Sequence, residues 1–132
     1  MSFRALLLAV CLGACAPVSY GPPSGAVLVS SPRPDAHVSD PFQVVGVAPS
    51  DWYFEAVFEA RLIDARGRVL AEAPAQAQSD WMTQGPVPFV VNFTYSSGVS
   101  QAATVVLTED QSGEISGRPR EIRIPVVLSP TR

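Results

Sequence analysis

The stretch WYFEAVFEARLID, residues 52–64, decides the fold class, because its apolar residues can be arranged as a strand or as a helix. A helix would bring Phe54 and Phe58 together at i and i+4. A period of two instead places six apolar residues on one face, namely Trp52, Phe54, Ala56, Phe58, Ala60 and Leu62. The flanking runs are strand-like and the DARG that follows is typical of a hairpin turn, so we favour the strand.

Short apolar runs continue on both sides of this stretch, separated by clusters of Gly, Pro, Asp and Ser. This alternation is typical of an all-β sandwich. Pro74 interrupts one of the runs and indicates a bulge or a sheet edge. The sequence therefore predicts an all-β, immunoglobulin-like β-sandwich of about seven strands within residues 26–132. The predicted strands, besides 52–64, are residues 26–30, 42–48, 68–78, 86–95, 103–109 and 121–128.

The N-terminal residues 1–14 have the layout of a secretory signal peptide: Arg4, a short apolar run and then small residues. The apolar run is too short to cross a bilayer. The letters LGAC, residues 12–15, resemble the lipobox of bacterial lipoproteins. That resemblance implies that the Cys15 thiol receives a diacylglyceryl group and that cleavage occurs just before it. The alternative is an ordinary secretory signal that leaves Cys15 as a free thiol.

Residues 15–25 follow as a lipidated cysteine and a tether rich in proline and glycine. Fatty chains give stable anchoring because each buried methylene contributes about 0.8 kcal/mol. Cys11 leaves with the signal peptide, so we expect no disulfide. Ala16 stands where an aspartate would favour inner-membrane retention, and the lipobox resemblance then implies an outer-membrane location in a Gram-negative host. We expect an exported protein, lipid-anchored to the cell envelope.

The composition argues against nucleic acid as a partner. The formal net charge is −3, and the nine basic residues are spread along the chain, whereas a nucleic-acid surface needs a clustered basic face. Hydrophobic residues make up 47% of the chain and charged residues 16%, so it can bury a core.

The residue types that support catalysis or metal binding are sparse. His37 is the only histidine, lies in a proline-rich turn, and would be needed by any histidine-assisted nucleophile or any zinc site. Glu55 and Glu59 would lie about 13 Å apart along a strand, outside the glycosidase geometries. Four aspartates lack the spacing of a calcium loop and are interpreted as turn residues: Asp35, Asp40, Asp51 and Asp110. We therefore predict no enzyme activity, no metal site and no cofactor.

The strongest candidates for a binding surface are Trp52 and the adjacent residues Asp80, Trp81 and Met82. A tryptophan beside a short acid and a methionine in a connection can form a platform for a ligand. Core packing is the competing role for both tryptophans, because a sandwich needs a large aromatic side chain between its sheets.

Three segments carry a resemblance to a known family: SPRPDAHVSDPFQVVGVA (31–48), WYFEAVFEARLIDARGRVL (52–70) and AQAQSDWMTQGPVPFVVNFTY (75–95). Together they resemble the immunoglobulin-like domain of bacterial spore germination. The resemblance covers nearly all of residues 26–128. It implies a small β-sandwich found on exported proteins, with a binding role at the cell surface and no catalytic residues.

These observations lead to three hypotheses for function. The first is a non-catalytic binding or scaffolding module, held at the membrane by lipid and recognising an unknown envelope protein or glycan. The second is an accessory hydrolase acting on the cell wall. The third is a structural lipoprotein that self-associates through an exposed edge strand, either EIRIPVVL (121–128) or the strand that contains Pro74.

Overall fold

The computed structural model describes residues 26–110 and 117–132, which contain eight β-strands and one short 3-10 helix, η1. The all-β prediction is confirmed, with eight strands in place of about seven. The additional strand, β2, lies in the proline-rich segment that we predicted as a break. The elements are β1 (Leu28–Ser31), β2 (Ala36–Val38), β3 (Phe42–Pro49), η1 (Ser50–Trp52), β4 (Val57–Asp64), β5 (Val69–Ala77), β6 (Pro86–Phe93), β7 (Gln101–Thr108) and β8 (Glu121–Leu128).

The strands follow the order β1-β3-β6-β5-β4-β7-β8-β2, and the pairs are antiparallel except for β2 with β8. The two strands at the ends of this order, β1 and β2, are consecutive in the chain and only residues 32–35 separate them. So short a connection spans less than about 20 Å. The sheet must therefore curl until its two edges approach each other, and we call this line of approach the seam.

Pro74 explains why the curled sheet divides into two layers. Strands β5 and β6 are joined by three residue pairs, at Ala75, Gln76 and Ala77. Gln76 pairs with Val90, and hydrogen-bonded pairs recur every two residues along an antiparallel ladder. The next such pair would require Pro74 to donate an N–H to β6, and proline has no N–H. Pairing ends there, so β1-β3-β6 forms one layer and β5-β4-β7-β8-β2 the other. Of the two effects predicted for Pro74, a bulge or a sheet edge, the structure shows a local edge: β5 is an inner strand of the order, and its pairing with β6 stops beside Pro74.

Alternating residues of β4 and β6 fill the space between the layers. Phe58, Ala60 and Leu62 on β4 are buried, as the period of two predicts from Val57 onward. The ring of Phe58 contacts that of Phe89 on β6 edge-on, with centroids 5.0 Å apart. These two strands are not neighbours in the sheet order, so this contact joins the two layers across the core.

The predicted strand was wrong over residues 52–56. Trp52 ends η1, and the chain then turns through Glu55 and Ala56, whose φ angles are 50° and 69°. Left-handed backbone interrupts the alternation of faces. Consequently Tyr53 is buried, whereas Phe54, predicted on the inner face, is 41% exposed.

The predicted hairpin turn between β4 and β5 is confirmed. Gly67 has a φ of 80° and donates its N–H to the carbonyl oxygen of Asp64 at 3.0 Å. The Oδ1 atom of Asp64 accepts the backbone N–H groups of Arg66 and Arg68, each at 2.9 Å. The Arg68 backbone bond contributes most to lowering the pKa of Asp64; burial opposes it, and the Arg66 bond and the Arg68 guanidinium add to it. The charged carboxylate therefore holds the turn.

The exposed sheet edges are short. Strand β1 has four residues and β2 has three, and β2 covers β8 from Val126 to Leu128. On the remaining edge of β8, Pro125 lacks an N–H and Arg123 adds a charge, which are both features that discourage pairing with another chain. In the part of the chain that the structure describes, no helix has the length and apolar character needed to cross a membrane.

Candidate functional site

The connections between strands gather at two opposite ends of the sandwich, as the strand register requires. We call these the loop end and the cleft end. The loop end carries the connections 50–56, 78–85 and the described parts of 109–120. The cleft end carries the connections 32–35, 39–41, 65–68 and 94–100, together with residues 129–132. Because Leu28 pairs with Val47 near the end of β3, the described chain begins at the loop end.

The two ends differ in charge over the described residues. The connections of the loop end hold five carboxylates and two arginines: Asp51, Glu55, Asp80, Glu109, Asp110, Arg118 and Arg120. Those of the cleft end hold four arginines and two carboxylates: Arg33, Arg66, Arg68, Arg132, Asp35 and Asp40. Arg68 is already paired with Asp64, the last residue of β4, so the cleft end carries a small excess of positive charge and the loop end an excess of negative charge.

A cleft of about 760 Å³ opens at the seam, between β2 on one side and the beginning of β3 on the other. This volume lies within the range of ordinary ligand sites. Its lining combines apolar surface with hydroxyl, amide and basic groups, and none of the described residues that line it is an aspartate or glutamate. Those most relevant to recognition are Arg33, His37, Pro41, Phe42, Gln43 and Asn92.

The polar groups of the cleft are available to a ligand to different degrees. Arg33 is exposed and makes no ion pair with any residue that the structure describes. Gln43 donates from Nε2 to Oδ1 of Asn92 at 2.8 Å, and this pair lies exposed across β3 and β6. His37, predicted as a surface turn residue, is exposed but belongs to β2. A guanidinium and a pair of amides thus line the same cleft.

Tyr95 fixes the position of β2 beside the cleft. Its hydroxyl lies 2.8 Å from the carbonyl oxygen of Ser129 and 3.1 Å from that of Val38, and it donates to these acceptors. Its backbone N–H donates to Oδ1 of Asp40 at 2.8 Å. Burial, and then the charge of Asp40, raise the pKa of the Tyr95 hydroxyl. The carboxylate of Asp40 therefore serves the structure of the cleft end and does not line the cleft.

Trp52, one of the four predicted binding residues, is packed at the loop end and is 2% exposed. Its ring meets Phe58 edge-on, with centroids 5.5 Å apart, and the Arg120 guanidinium carbon lies 5.6 Å from its centroid. Arg120 also pairs with Asp51 at 2.8 Å and with buried Glu109 at 2.7 Å. Of the two roles weighed for Trp52, the structure places its side chain in the core.

Asp80, Trp81 and Met82 lie on the β5–β6 connection at the same end as Trp52. Asp80 Oδ1 accepts the backbone N–H of Met82 at 2.9 Å. Trp81 is partly buried and packs against the core, whereas the Met82 side chain is 75% exposed. None of the three lines the cleft, which lies at the opposite end.

The two glutamates considered for hydrolysis do not share a strand. Glu55 lies in the turn before β4, so the strand spacing that we assumed for the pair does not apply. Glu59 lies on β4 and pairs with Arg61 at 3.3 Å. It lines a separate hollow of about 400 Å³ with Glu72 and Asp110, and Glu55 is not part of that lining.

Two further predictions concern metal binding and lipid attachment. Over residues 26–110 and 117–132, no three His, Cys, Asp or Glu side chains come together as a possible metal site. Cys15 and the whole of the predicted signal peptide and tether lie outside the described residues.

The family model for the immunoglobulin-like domain of bacterial spore germination matches residues 26–114, about two thirds of the chain. The chain belongs to this family. A search of the curated proteins returned no match. The lining of the cleft, from Ser31 to Thr94, falls entirely within the matched residues.

Membership of the spore-germination immunoglobulin family suggests a binding or scaffolding module. Domains of this family are generally non-catalytic, and a bacterial immunoglobulin-like domain suggests an extracellular or envelope location. From the sequence we predicted binding residues at the loop end, and we did not predict Arg33, Gln43 or Asn92 of the cleft. The one local signal of the cleft was the proline-rich stretch 31–41, which we interpreted as a break between strands.

Proposed function

We propose that this protein is an envelope lipoprotein, anchored through Cys15, whose immunoglobulin-like domain is a non-catalytic binding module. The observation that carries this proposal is the placement of the cleft. The described chain begins at the loop end, and the cleft opens at the opposite end. A tether that enters at the loop end would turn the cleft away from the lipid surface and towards other envelope components.

The charges of the two ends support the same orientation. A tether of residues 16–25 reaches at most about 35 Å from Cys15. Carboxylates outnumber arginines in the loop-end connections, so an anionic lipid surface repels that end. The domain would then stand off the membrane on its tether while remaining within reach of a partner. Its cleft, with Arg33 in the lining, would be free to bind.

Lipid attachment is tested by fractionation and mass spectrometry of the protein expressed in its host. We expect the mature chain to begin at Cys15, to carry acyl chains and to remain in the membrane fraction. Cys15→Ser should release it or leave the signal uncleaved. Cys11→Ser is the matched control and should leave the acylated product unchanged. A water-soluble product with an unmodified Cys15 thiol would overturn the anchor.

The binding surface is tested by photo-crosslinking in intact envelopes. A photoreactive residue is placed either at Gln43 in the cleft or at Met82 on the loop end, which are both exposed positions. We expect a discrete adduct from position 43 that disappears when Arg33 is also changed to serine. An adduct from position 82 alone would place the binding surface at the loop end. Turnover of purified cell wall, lost on Glu55→Gln, would favour an accessory hydrolase.

A further inference from the structure

We propose that the cleft binds an acidic peptide segment, held in extended conformation by the uncovered backbone N–H and C=O of Gln43 at the edge of β3. This inference rests on the proposed function of the domain as a binding module, and it names the class of partner. Three features of the cleft support it: the uncovered backbone groups of Gln43, an arginine without an ion pair among the described residues, and no carboxylate among the described residues of the lining.

The open edge follows from the register of β3. The carbonyl of Pro88 on β6 accepts the N–H of Gln78, the residue that follows β5. The backbone C=O of Pro88 therefore points towards β5 and away from β3. Its partner Val47 therefore turns its own groups away from β6. Because orientation alternates along a strand, the N–H and C=O of Gln43 also point away from β6, on the side where β1 pairs.

Strand β1 does not reach Gln43. Its last pair joins Ser31 to Val45, after which Pro32 begins the short connection to β2 across the seam. The backbone N–H and C=O of Gln43 are thus left at the wall of the cleft. Adding a strand at such an edge is a common way to bind an extended peptide, with main-chain hydrogen bonds giving affinity and alternate side chains giving specificity.

The charge of the cleft selects an acidic peptide. Among the described residues that line the cleft, Arg33 is the only arginine, and none is a lysine, an aspartate or a glutamate. Guanidinium groups bind carboxylates through paired hydrogen bonds. The Arg33 guanidinium forms no ion pair with a described residue and is therefore available for such binding. Alternate side chains of the peptide would then face Arg33 or the apolar surface of Pro41 and Phe42.

This proposal is tested by fluorescence anisotropy with the full-length protein, purified in detergent whether or not Cys15 is acylated. The probe is a short labelled peptide that alternates valine with glutamate, and its counterpart has lysine in place of glutamate. We expect the glutamate peptide to bind at least about tenfold more tightly than the lysine peptide, and less tightly as salt increases. Arg33→Ser should weaken it about tenfold. Arg66→Ser, at the same end but outside the cleft, should not.

The backbone contribution is tested on the peptide, which leaves the protein unaltered. N-methylation of one alternate set of its amides should abolish binding, and methylation of the other set should be tolerated, because only one edge of an added strand faces β3. Equal binding of the two peptides, or no effect of Arg33→Ser, would overturn the proposal. Binding of a cell-wall tetrasaccharide in place of either peptide would identify a glycan site. None of these results depends on Cys15 acylation or on crosslinking from Gln43, so a failure to bind the peptide would leave the proposed function standing.

Discussion

The loop end and the cleft end of this sandwich use their conspicuous residues in opposite ways. At the loop end, Arg120 lies over the Trp52 ring and pairs with Asp51 and with the buried carboxylate of Glu109. At the cleft end, Arg33 is exposed beside an open cleft and has no ion pair with a described residue. Arg120 therefore holds a connection against the core, whereas Arg33 remains available to a partner.

An aromatic or charged residue in a connection therefore indicates a binding surface only if other side chains of the protein leave its ring or charge accessible. Trp52 meets Phe58 and Arg120, so its ring offers little to a ligand. The cleft has less conspicuous residues, but the amide pair and the backbone of Gln43 are accessible there. We therefore expect substitutions at the loop end to change stability and substitutions at the cleft end to change binding.

The largest effect should come from the aromatic core beneath the loop end. Phe58 is 1% exposed and contacts the rings of Trp52, Tyr53 and Phe89. Phe58→Ala should lower the free energy of unfolding by about 3–5 kcal/mol, as for other buried phenylalanines. Phe42→Ala at the cleft is the matched variant and should cost clearly less, because its ring is only partly buried. Urea unfolding compares them, and the reverse order would contradict the assignment of the two ends.

The second largest difference in the free energy of unfolding is expected between variants of Arg120 and Arg33. Arg120→Met removes the partner of Glu109, whose side chain is 3% exposed, and should cost about 1–3 kcal/mol. We place it below the value for a fully buried pair because the Arg120 side chain is 45% exposed. Arg33→Met should change the free energy of unfolding by less than about 0.5 kcal/mol. A large loss on Arg33→Met in urea unfolding would mean that Arg33 has a structural role.

Two tyrosines allow a comparison that depends on pH. The Tyr53 hydroxyl donates to the Val87 carbonyl at 2.7 Å near the loop end, and Tyr95 donates at the cleft end. Each Tyr→Phe variant should cost about 1 kcal/mol at neutral pH, the typical net contribution of one hydrogen bond. Burial raises the pKa of Tyr53, and burial followed by the charge of Asp40 raises that of Tyr95.

The sign of the pH dependence follows from these raised pKa values. In the unfolded chain a tyrosine loses its proton near pH 10, at which pH the folded protein keeps it. Stability is therefore retained below about pH 10 and falls as the pH rises further. Urea unfolding at about pH 8 and about pH 11 should show this fall. It should be smaller in Tyr53→Phe and in Tyr95→Phe, and an equal fall in both variants and the wild type would mean that ionisation of these two hydroxyls is not its cause.

The parts of the fold that the sequence predicts are those determined by local pattern. The alternation in β4 and the DARG turn depend on consecutive residues. The effect of Pro74 on strand pairing follows from its residue type alone. Strand β2 could not be predicted in this way. It has three residues and exists because β8, far along the chain, supplies a parallel partner.

The candidate site was missed for the same reason. The cleft forms only because β1 and β2 lie at opposite ends of the strand order and are joined by four residues, which brings the beginning of β3 beside β2. Arg33 and Asn92 are distant in sequence and share no motif. Composition directed attention to Trp52 and Trp81 instead, because large aromatic residues serve both cores and ligand sites, and burial cannot be read from residue type.

The smallest effect, and the sharpest comparison of the two ends as binding surfaces, is expected at Met82. Its side chain is 75% exposed, so Met82→Ser should change the free energy of unfolding by less than about 0.5 kcal/mol. The affinity for the glutamate peptide should also stay the same, whereas Arg33→Ser weakens it about tenfold. Both variants remove an exposed side chain, so differences in folding do not confuse the result. If Met82→Ser reduced peptide binding and Arg33→Ser did not, the binding surface would lie at the loop end, beside Trp81.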